Sequence, residues 1–355
     1  MSPSQPSSNP IGLDGIEFVE FASHDPAALD RLFKSFGFSK VMRHRERALD
    51  LYAQNDIVFL LNREPGSFGA GFAKMHGPSI CSMGWRVQRG GDALGVAVSR
   101  GARAATRVDL ERDGKPMPAL FGIGDSLIYL FENYREKDLA ARYAPLGFIP
   151  HEAPEIVQDK GFTVVDHLTN NVFKGTMETW SRFYKDVFGF TEVRYFDIRG
   201  VKTGLTSYAL RSPDGSFCIP INEGTESKSQ INEYLDEYKG PGIQHLAFAT
   251  RDILASLDAM QGTEVQFLDI DDEYYATVFD RVPHVKEDRA RIRKHNVLVD
   301  GDADGYLLQI FTKNIVGPIF IELIQRENNL SFGEGNFGAL FRSIERDQMR
   351  RGYLK

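Results

Sequence analysis

The sequence repeats itself, and the repeat limits what the chain can fold into. Gly15-Ile-Glu-Phe-Val-Glu-Phe21 leads into a helical stretch ending Lys34-Ser-Phe-Gly-Phe38; Val164-Val-Asp-His-Leu168 leads into one ending Lys185-Asp-Val-Phe-Gly-Phe190. Leu29, Leu32, Phe33 and Phe36 recur at i, i+3, i+4 and i+7, as do Trp180, Phe183, Tyr184 and Val187, which puts four apolar side chains on one helical face. Each helix stops at a glycine, a common terminator, and runs into a strand-like segment, Ser39-Lys-Val-Met42 or Thr191-Glu-Val-Arg194. Gly77-Pro-Ser-Ile-Cys-Ser-Met-Gly-Trp85 then aligns with Gly240-Pro-Gly-Ile-Gln-His-Leu-Ala-Phe248, each a turn before a buried strand. Second helices are expected around Asp92–Ser99 and Ile253–Met260, and the halves close on the strands Leu127–Phe131 and Ile319–Ile324. Chance likeness between two amphipathic helices would not produce four matched landmarks in one order. The chain is therefore α+β, built of duplicated βαβββ-like modules. Pro145, Pro150 and Pro154 mark a boundary between Ala144 and Lys160, giving residues 12–150 and 151–355 as the two domains. Residues 1–11, without positive charge or an apolar run, are expected to be a disordered tail and not a secretory signal.

Composition removes several function classes. With 42 Lys and Arg against 49 Asp and Glu the formal charge is −7, so the basic footprint of a nucleic-acid protein is missing. No apolar run approaches the roughly 18 residues of a membrane span. Two cysteines, Cys81 and Cys218, give neither a disulfide framework nor a cysteine-ligated zinc site. Any metal must be held by His, Asp or Glu, and a cytoplasmic protein is expected.

Eight histidines are present, and two stand inside apolar strands: His167 in Phe162-Thr-Val-Val-Asp-His-Leu168 and His245 in Ile243-Gln-His-Leu-Ala-Phe248. Glu322 breaks the strand Pro318-Ile-Phe-Ile-Glu-Leu-Ile324 in the same way. Burying a lone carboxylate is costly unless it is paired or binds a metal; the pairing alternative is Arg326, four residues on. Two histidines and one carboxylate form the facial triad of non-haem Fe(II) oxygenases. They cancel only one of the cation's two charges and leave positions open to an anionic substrate. The spacing is nearly even, 78 residues from His167 to His245 and 77 from His245 to Glu322, as a duplicated module would give. Through the repeat these positions correspond to Phe18, Ser82 and Tyr129, which cannot hold a metal, so the first half is expected to be metal-free and structural.

The strings Pro220-Ile-Asn-Glu, Lys228-Ser-Gln-Ile, Gly242-Ile-Gln-His-Leu-Ala, Leu307-Leu-Gln-Ile-Phe-Thr-Lys, Ile321-Glu-Leu-Ile-Gln-Arg, Gly335-Asn-Phe and Leu340-Phe-Arg-Ser-Ile-Glu-Arg-Asp-Gln occur in one order. Together with the triad they resemble the 4-hydroxyphenylpyruvate dioxygenases, most closely the bacterial members, over nearly the whole chain from Gly12. The resemblance implies the vicinal-oxygen-chelate fold, two open β-barrel-like domains, with a C-terminal lid helix. It implies one Fe(II) per chain on His167, His245 and Glu322. Its substrate-pocket positions fall on Ser207, Asn222, Gln230, Gln244, Gln309, Phe311, Phe332, Asn336 and Phe337, with catalytic roles at Gln309 and Phe337, and the sequence departs from the family at none of them.

The resemblance further implies that 4-hydroxyphenylpyruvate and O2 become homogentisate and CO2, a step of tyrosine breakdown. A homo-oligomer, dimer or tetramer, is expected; nucleic-acid or membrane partners are not. Hydroxymandelate synthase resembles the same family and hydroxylates the benzylic carbon, but usually has a smaller aliphatic residue where Phe337 stands. A non-catalytic protein that captures a small aromatic ligand would have no need of a buried Glu322. Strict strand alternation places Gln244 on the face opposite His245. Phe337, Leu340, Phe341 and Ile344 follow helical spacing, and Gly333, Gly335 and Gly338 suggest a flexible entry to that helix.

Overall fold

The structure is a computed structural model that describes residues 8–88, 90–199 and 203–354. Most of the expected tail, residues 1–7, lies outside these. Residues 8–11 are packed against the fold: Ile11 is fully buried, and the Asn9 side chain bonds both the N–H and the C=O of Leu13. Ser8 and Pro10 sit so close to Gly189 that a Cβ there would come 2.3 Å from the Ser8 carbonyl oxygen, and Gly189 also has a φ of +80° that L side chains rarely adopt.

The first half runs β1 (Leu13–Ala22), α1 (Pro26–Ser35), β2 (Ser39–His44), β3 (Leu49–Gln54), β4 (Ile57–Asn62), α2 (Phe68–His76), β5 (Ser79–Val87), α3 (Gly90–Ser99), the small hairpin β6 (Glu111–Arg112) and β7 (Lys115–Pro116), β8 (Ala119–Phe121), β9 (Leu127–Phe131), α4 (Leu139–Tyr143) and β10 (Phe148–Glu155). The second runs β11 (Phe162–Val172), α5 (Met177–Phe188), β12 (Thr191–Arg199), β13 (Gly204–Arg211), β14 (Cys218–Gly224), α6 (Gln230–Tyr238), β15 (Gly242–Thr250), α7 (Ile253–Ala259), α8 (Asp272–Arg281), α9 (Arg289–Lys294), β16 (Leu298–Gly301), β17 (Tyr306–Phe311), β18 (Phe320–Glu327) and α10 (Phe337–Arg350).

Each half forms one open eight-stranded sheet, in the orders β10-β2-β3-β4-β1-β5-β9-β8 and β12-β13-β14-β11-β15-β18-β17-β16. The duplication is exact in register at the centre. His167 faces Ala247, which faces Glu322; Phe18 faces Gly84, which faces Tyr129. His245 faces Thr169 as Ser82 faces Glu20. The halves differ at their margins. In the first, the outermost strand shrinks to a single bridge, Ala104 with Leu120. The proline-marked segment there is not a bare linker: β10 pairs with β2 at the sheet edge, where a proline leaves no ladder bond unmade.

Both repeat helices bury the expected stripe. Leu29, Leu32 and Phe33 of α1 are buried, as are Tyr184 and Val187 of α5, with Trp180 and Phe183 packed against the same core. That core runs through both halves: Trp85 packs edge-on to Phe188 at 4.9 Å, and Phe38 lies 5.7 Å from Phe248. A second apolar cluster, including Phe18, Leu51, Leu60 and Tyr129, belongs to the first half alone. There the triad-equivalent positions are core, whereas in the second half they border a cavity.

Candidate metal centre

His167, His245 and Glu322 come from the three neighbouring strands β11, β15 and β18. The His167 Nε2 lies 3.1 Å from a Glu322 carboxylate oxygen and 3.3 Å from the His245 Nε2, which is 3.4 Å from the same oxygen. Donors about 2.1 Å from one first-row cation stand about 3.0 Å apart at right angles and about 4.2 Å apart if opposed. The observed spacing is therefore that of three donors on one side of an ion, leaving its other side toward the cavity. Among the described residues this is the one cluster of His, Cys, Asp or Glu close enough to hold a metal together.

The electrostatics fit a cation. Burial disfavours the Glu322 carboxylate, but the two imidazoles overcome this and hold its pKa near 2. Burial pushes His245 down despite Glu322, which favours the neutral imidazole that a metal would need. Burial also opposes the charged form of His167, yet Glu322 and Asp166 outweigh it and raise that imidazole to about 9. The site holds one net negative charge against positive charge, whether a proton or a metal.

Arg326 is not the partner of Glu322. It makes two parallel bonds to Asp166, each 2.8 Å, and Asp166 Oδ2 is 2.7 Å from His167 Nδ1. Two β-bulges explain why alternation did not reveal the supporting residues. Asp166 is the extra residue between the pairs Val165–Phe248 and His167–Ala247; Gln244 is the extra residue between Thr169–His245 and Asn170–Ile243. Each bulge turns a side chain onto its neighbour's face, so Gln244 borders the cavity and its Oε1 lies 3.1 Å from His245 Nδ1. Glu322 is supported from the adjacent strand, where Gln309 Nε2 donates to it at 3.4 Å.

A cavity opens beside the three side chains. Its wall brings together the three candidate ligands with Ser207, Asn222, Gln230, Gln244, Gln309, Phe311, Phe332 and Phe337. Asn336 is not on the wall. It is fully buried behind Gln309, whose Oε1 it bonds at 3.2 Å, and accepts from the Tyr274 hydroxyl at 2.6 Å. Phe332 lies edge-on to His167 at 5.7 Å, and Phe337 edge-on to Phe196 at 5.3 Å. The sequence reading missed Phe196 and Phe320. Phe320 stacks on His245 at 4.8 Å, and its two-residue offset from Glu322 was a signal for the same face.

The C-terminal helix α10 closes one side of the cavity with Phe337, Leu340, Phe341 and Ile344. Arg342 and Arg346 tie its outer face to Asp271. Its entry glycines serve close packing more than looseness. A Cβ on Gly333, whose φ is +75°, would lie 1.8 Å from Gln309 Oε1, and one on Gly335 would lie 1.4 Å from Arg281 Nη1.

The comparisons with known proteins agree with this arrangement. Residues 7–145 match the family described as "Hydroxyphenylpyruvate dioxygenase, HPPD, N-terminal", and residues 164–310 match the Glyoxalase/Bleomycin resistance protein/Dioxygenase superfamily. A 4-hydroxyphenylpyruvate dioxygenase of Legionella pneumophila is 42% identical over 98% of this chain and 99% of its own. The chain belongs to the 4-hydroxyphenylpyruvate dioxygenase family. Protein MelA of Shewanella colwelliana is 61% identical over 98% of this chain and 99% of its own. A solved fusion of a xylose isomerase-like TIM barrel with 4-hydroxyphenylpyruvate dioxygenase superposes with a TM-score of 0.81 at 28% identity. That match covers 98% of this chain and 55% of the fusion protein. Membership of the dioxygenase family gives the triad its chemical context and the open, curled sheets their fold class. No helix among the described residues is long and apolar enough to cross a membrane.

Proposed function

We propose that the protein converts 4-hydroxyphenylpyruvate and O2 to homogentisate and CO2, with one Fe(II) per chain on His167, His245 and Glu322. The observation that carries the reading is three donors at 3.1 to 3.4 Å from one another, at the wall of a cavity lined by rings and amides, in a chain of this family. Fe(II), when bound, supplies the chelation of the 2-oxo acid and the redox chemistry with dioxygen. The protein's own residues do the rest. One carboxylate and two neutral imidazoles leave a net positive centre that attracts the anionic keto acid. Phe311, Phe332 and Phe337 wall the aromatic ring and exclude water. Ser207, Asn222, Gln230, Gln244 and Gln309 supply hydrogen bonds for the phenol and the keto acid, and Asn336 keeps the Gln309 amide turned toward the cavity. The first half, metal-free, buttresses the second; a cytoplasmic dimer or tetramer is the working form.

The test is anaerobic loading with Fe(II), addition of the keto acid, admission of oxygen and chromatography of the products. Homogentisate with one O2 consumed per substrate supports the reading. 4-Hydroxymandelate would assign the synthase reaction instead, and binding without oxygen uptake would make the protein a ligand-capturing module.

A further inference from the structure

Each candidate ligand needs something to hold it, and for His167 the support reaches beyond its immediate neighbour. A histidine that ligates through Nε2 carries its proton on Nδ1, and that N–H needs an acceptor where water is excluded. Asp166 Oδ2 stands 2.7 Å from it. The Asp166 carboxylate is fixed in turn by Nε and Nη2 of Arg326, both at 2.8 Å. The third guanidinium nitrogen, Nη1, donates to the carbonyls of Ser331 at 2.6 Å and Asn329 at 3.2 Å, and the guanidinium lies 5.9 Å from the centre of the Phe332 ring. Phe332 is itself edge-on to His167. One arginine thus grips both the carboxylate behind a ligand and the loop that carries a wall of the cavity.

The metal-free half supplies a comparison. Glu17 is the extra residue of the corresponding bulge, between Ile16–Trp85 and Phe18–Gly84, and it pairs with Arg86 and Arg142. The acid at the bulge therefore has a structural use without any histidine. What the second half adds is a histidine next to that acid and a cavity loop on the same arginine.

We propose that Asp166 and Arg326 are positioning residues: Asp166 holds His167 in the tautomer and orientation that present Nε2 to the metal, and Arg326 couples that ligand to the Phe332 loop. The proposal rests on the reading of His167 as a metal ligand. Anaerobic titration with Co(II), followed by its visible spectrum, separates the two. Absence of Co(II) binding by the wild-type protein overturns the ligand reading itself. With binding established, Asp166→Ala should weaken Co(II) by about 10- to 100-fold and alter the spectrum, while Asp166→Asn, whose amide oxygen can still accept from Nδ1–H, should recover most of the affinity. Equal affinity and an unchanged spectrum in Asp166→Ala, with only the melting temperature of the metal-free protein lowered, would leave Asp166 as a fold ion pair like Glu17 and overturn the proposal.

Should Asp166→Ala fail to fold, Asp166→Leu, which fills the same space without an acceptor, carries the test through the nitrogen NMR shifts of His167 in the metal-free protein and the Co(II) affinity. A shifted tautomer population with weakened Co(II) binding supports the proposal, and both unchanged overturn it. Arg326→Lys keeps one bond to Asp166 but cannot grip the two carbonyls. It should leave Co(II) affinity within about threefold and raise KM for the keto acid more than it lowers kcat; an unchanged KM would overturn the coupling to the loop.

Discussion

Replacing Phe337 by valine separates packing from substrate control. The ring begins α10, is half-buried, and meets Phe196 edge-on at 5.3 Å. Truncating a fully buried phenylalanine to alanine costs about 3–5 kcal/mol. Phe337 already turns part of its surface to an existing cavity, and valine keeps part of the contact, so about 1 kcal/mol is expected and the fold survives. The effect on turnover should be larger. With that wall pulled back the substrate ring can shift, and a displacement of about 1 Å costs on the order of a hundredfold in rate, or about 2.7 kcal/mol of barrier. Homogentisate formation should fall by about that factor while some substrate is hydroxylated at the benzylic carbon, giving 4-hydroxymandelate. Product chromatography of the metal-loaded variant, beside its melting curve, reads both effects. Homogentisate alone at an unchanged rate, with a lowered melting temperature, would show that Phe337 only packs and that the cavity wall has been misassigned there.

Three further outcomes follow from the geometry. Alanine at His167, His245 or Glu322 should abolish metal binding and turnover with the fold retained, whereas Tyr129→Phe should leave one metal per chain; metal analysis of the purified variants reads this, and two metals per wild-type chain would contradict the silent first half. Asn336→Leu frees the Gln309 amide and removes one partner of the Tyr274 hydroxyl, which keeps its bonds to the Val299 backbone, so melting should show a loss of about 0.5–1.5 kcal/mol and KM should rise; an unshifted KM would remove Asn336 from the support of the site. Glu20 is fully buried beside Asp109, with Asn62, Ser82 and Cys81 around it, and burial first, then Asp109, raises its pKa from 4.5 to about 7. The folded value lies above the unfolded one, so the stability it contributes is complete below pH 4.5 and is lost as pH rises to about 7, by about 3 kcal/mol. Glu20→Gln should flatten that part of the stability–pH curve, and an unaltered curve would show that Glu20 titrates normally.

Much of the site was legible because its residues violate the apolar pattern around them. His167, His245 and Glu322 each interrupt a buried strand, and the repeat put each on its own strand; His167 and Glu322 are in register across Ala247, with His245 two residues along. Gln309 and Phe311 could be read from the two-residue period. What the strand and helix periods alone do not show depends on irregularity. Asp166 and Gln244 reach the site through bulges, which add one residue to a strand without any mark in its composition. Asn336 looks like a neighbour of Phe337 in sequence, but the turn before α10 sends it behind the wall. The joining of β10 to the first sheet depends on long-range pairing that its prolines obscured. The buried Glu20–Asp109 pair unites a strand and a loop 89 residues apart, bridged by the Asn62 amide.

Gly84 sets the order in which a second centre could be rebuilt. A Cβ on it would come within 2.4 Å of the Phe18 ring, whereas its counterpart Ala247 sits beside the slimmer imidazole of His167. Phe18 and Gly84 are thus epistatic: alanine at 84 is harmful while the phenylalanine stays and becomes admissible once histidine replaces it. An engineering route that grafts His, His and Glu onto positions 18, 82 and 129 must therefore start at 18, and laboratory selection that samples one substitution at a time will find the path from 84 closed.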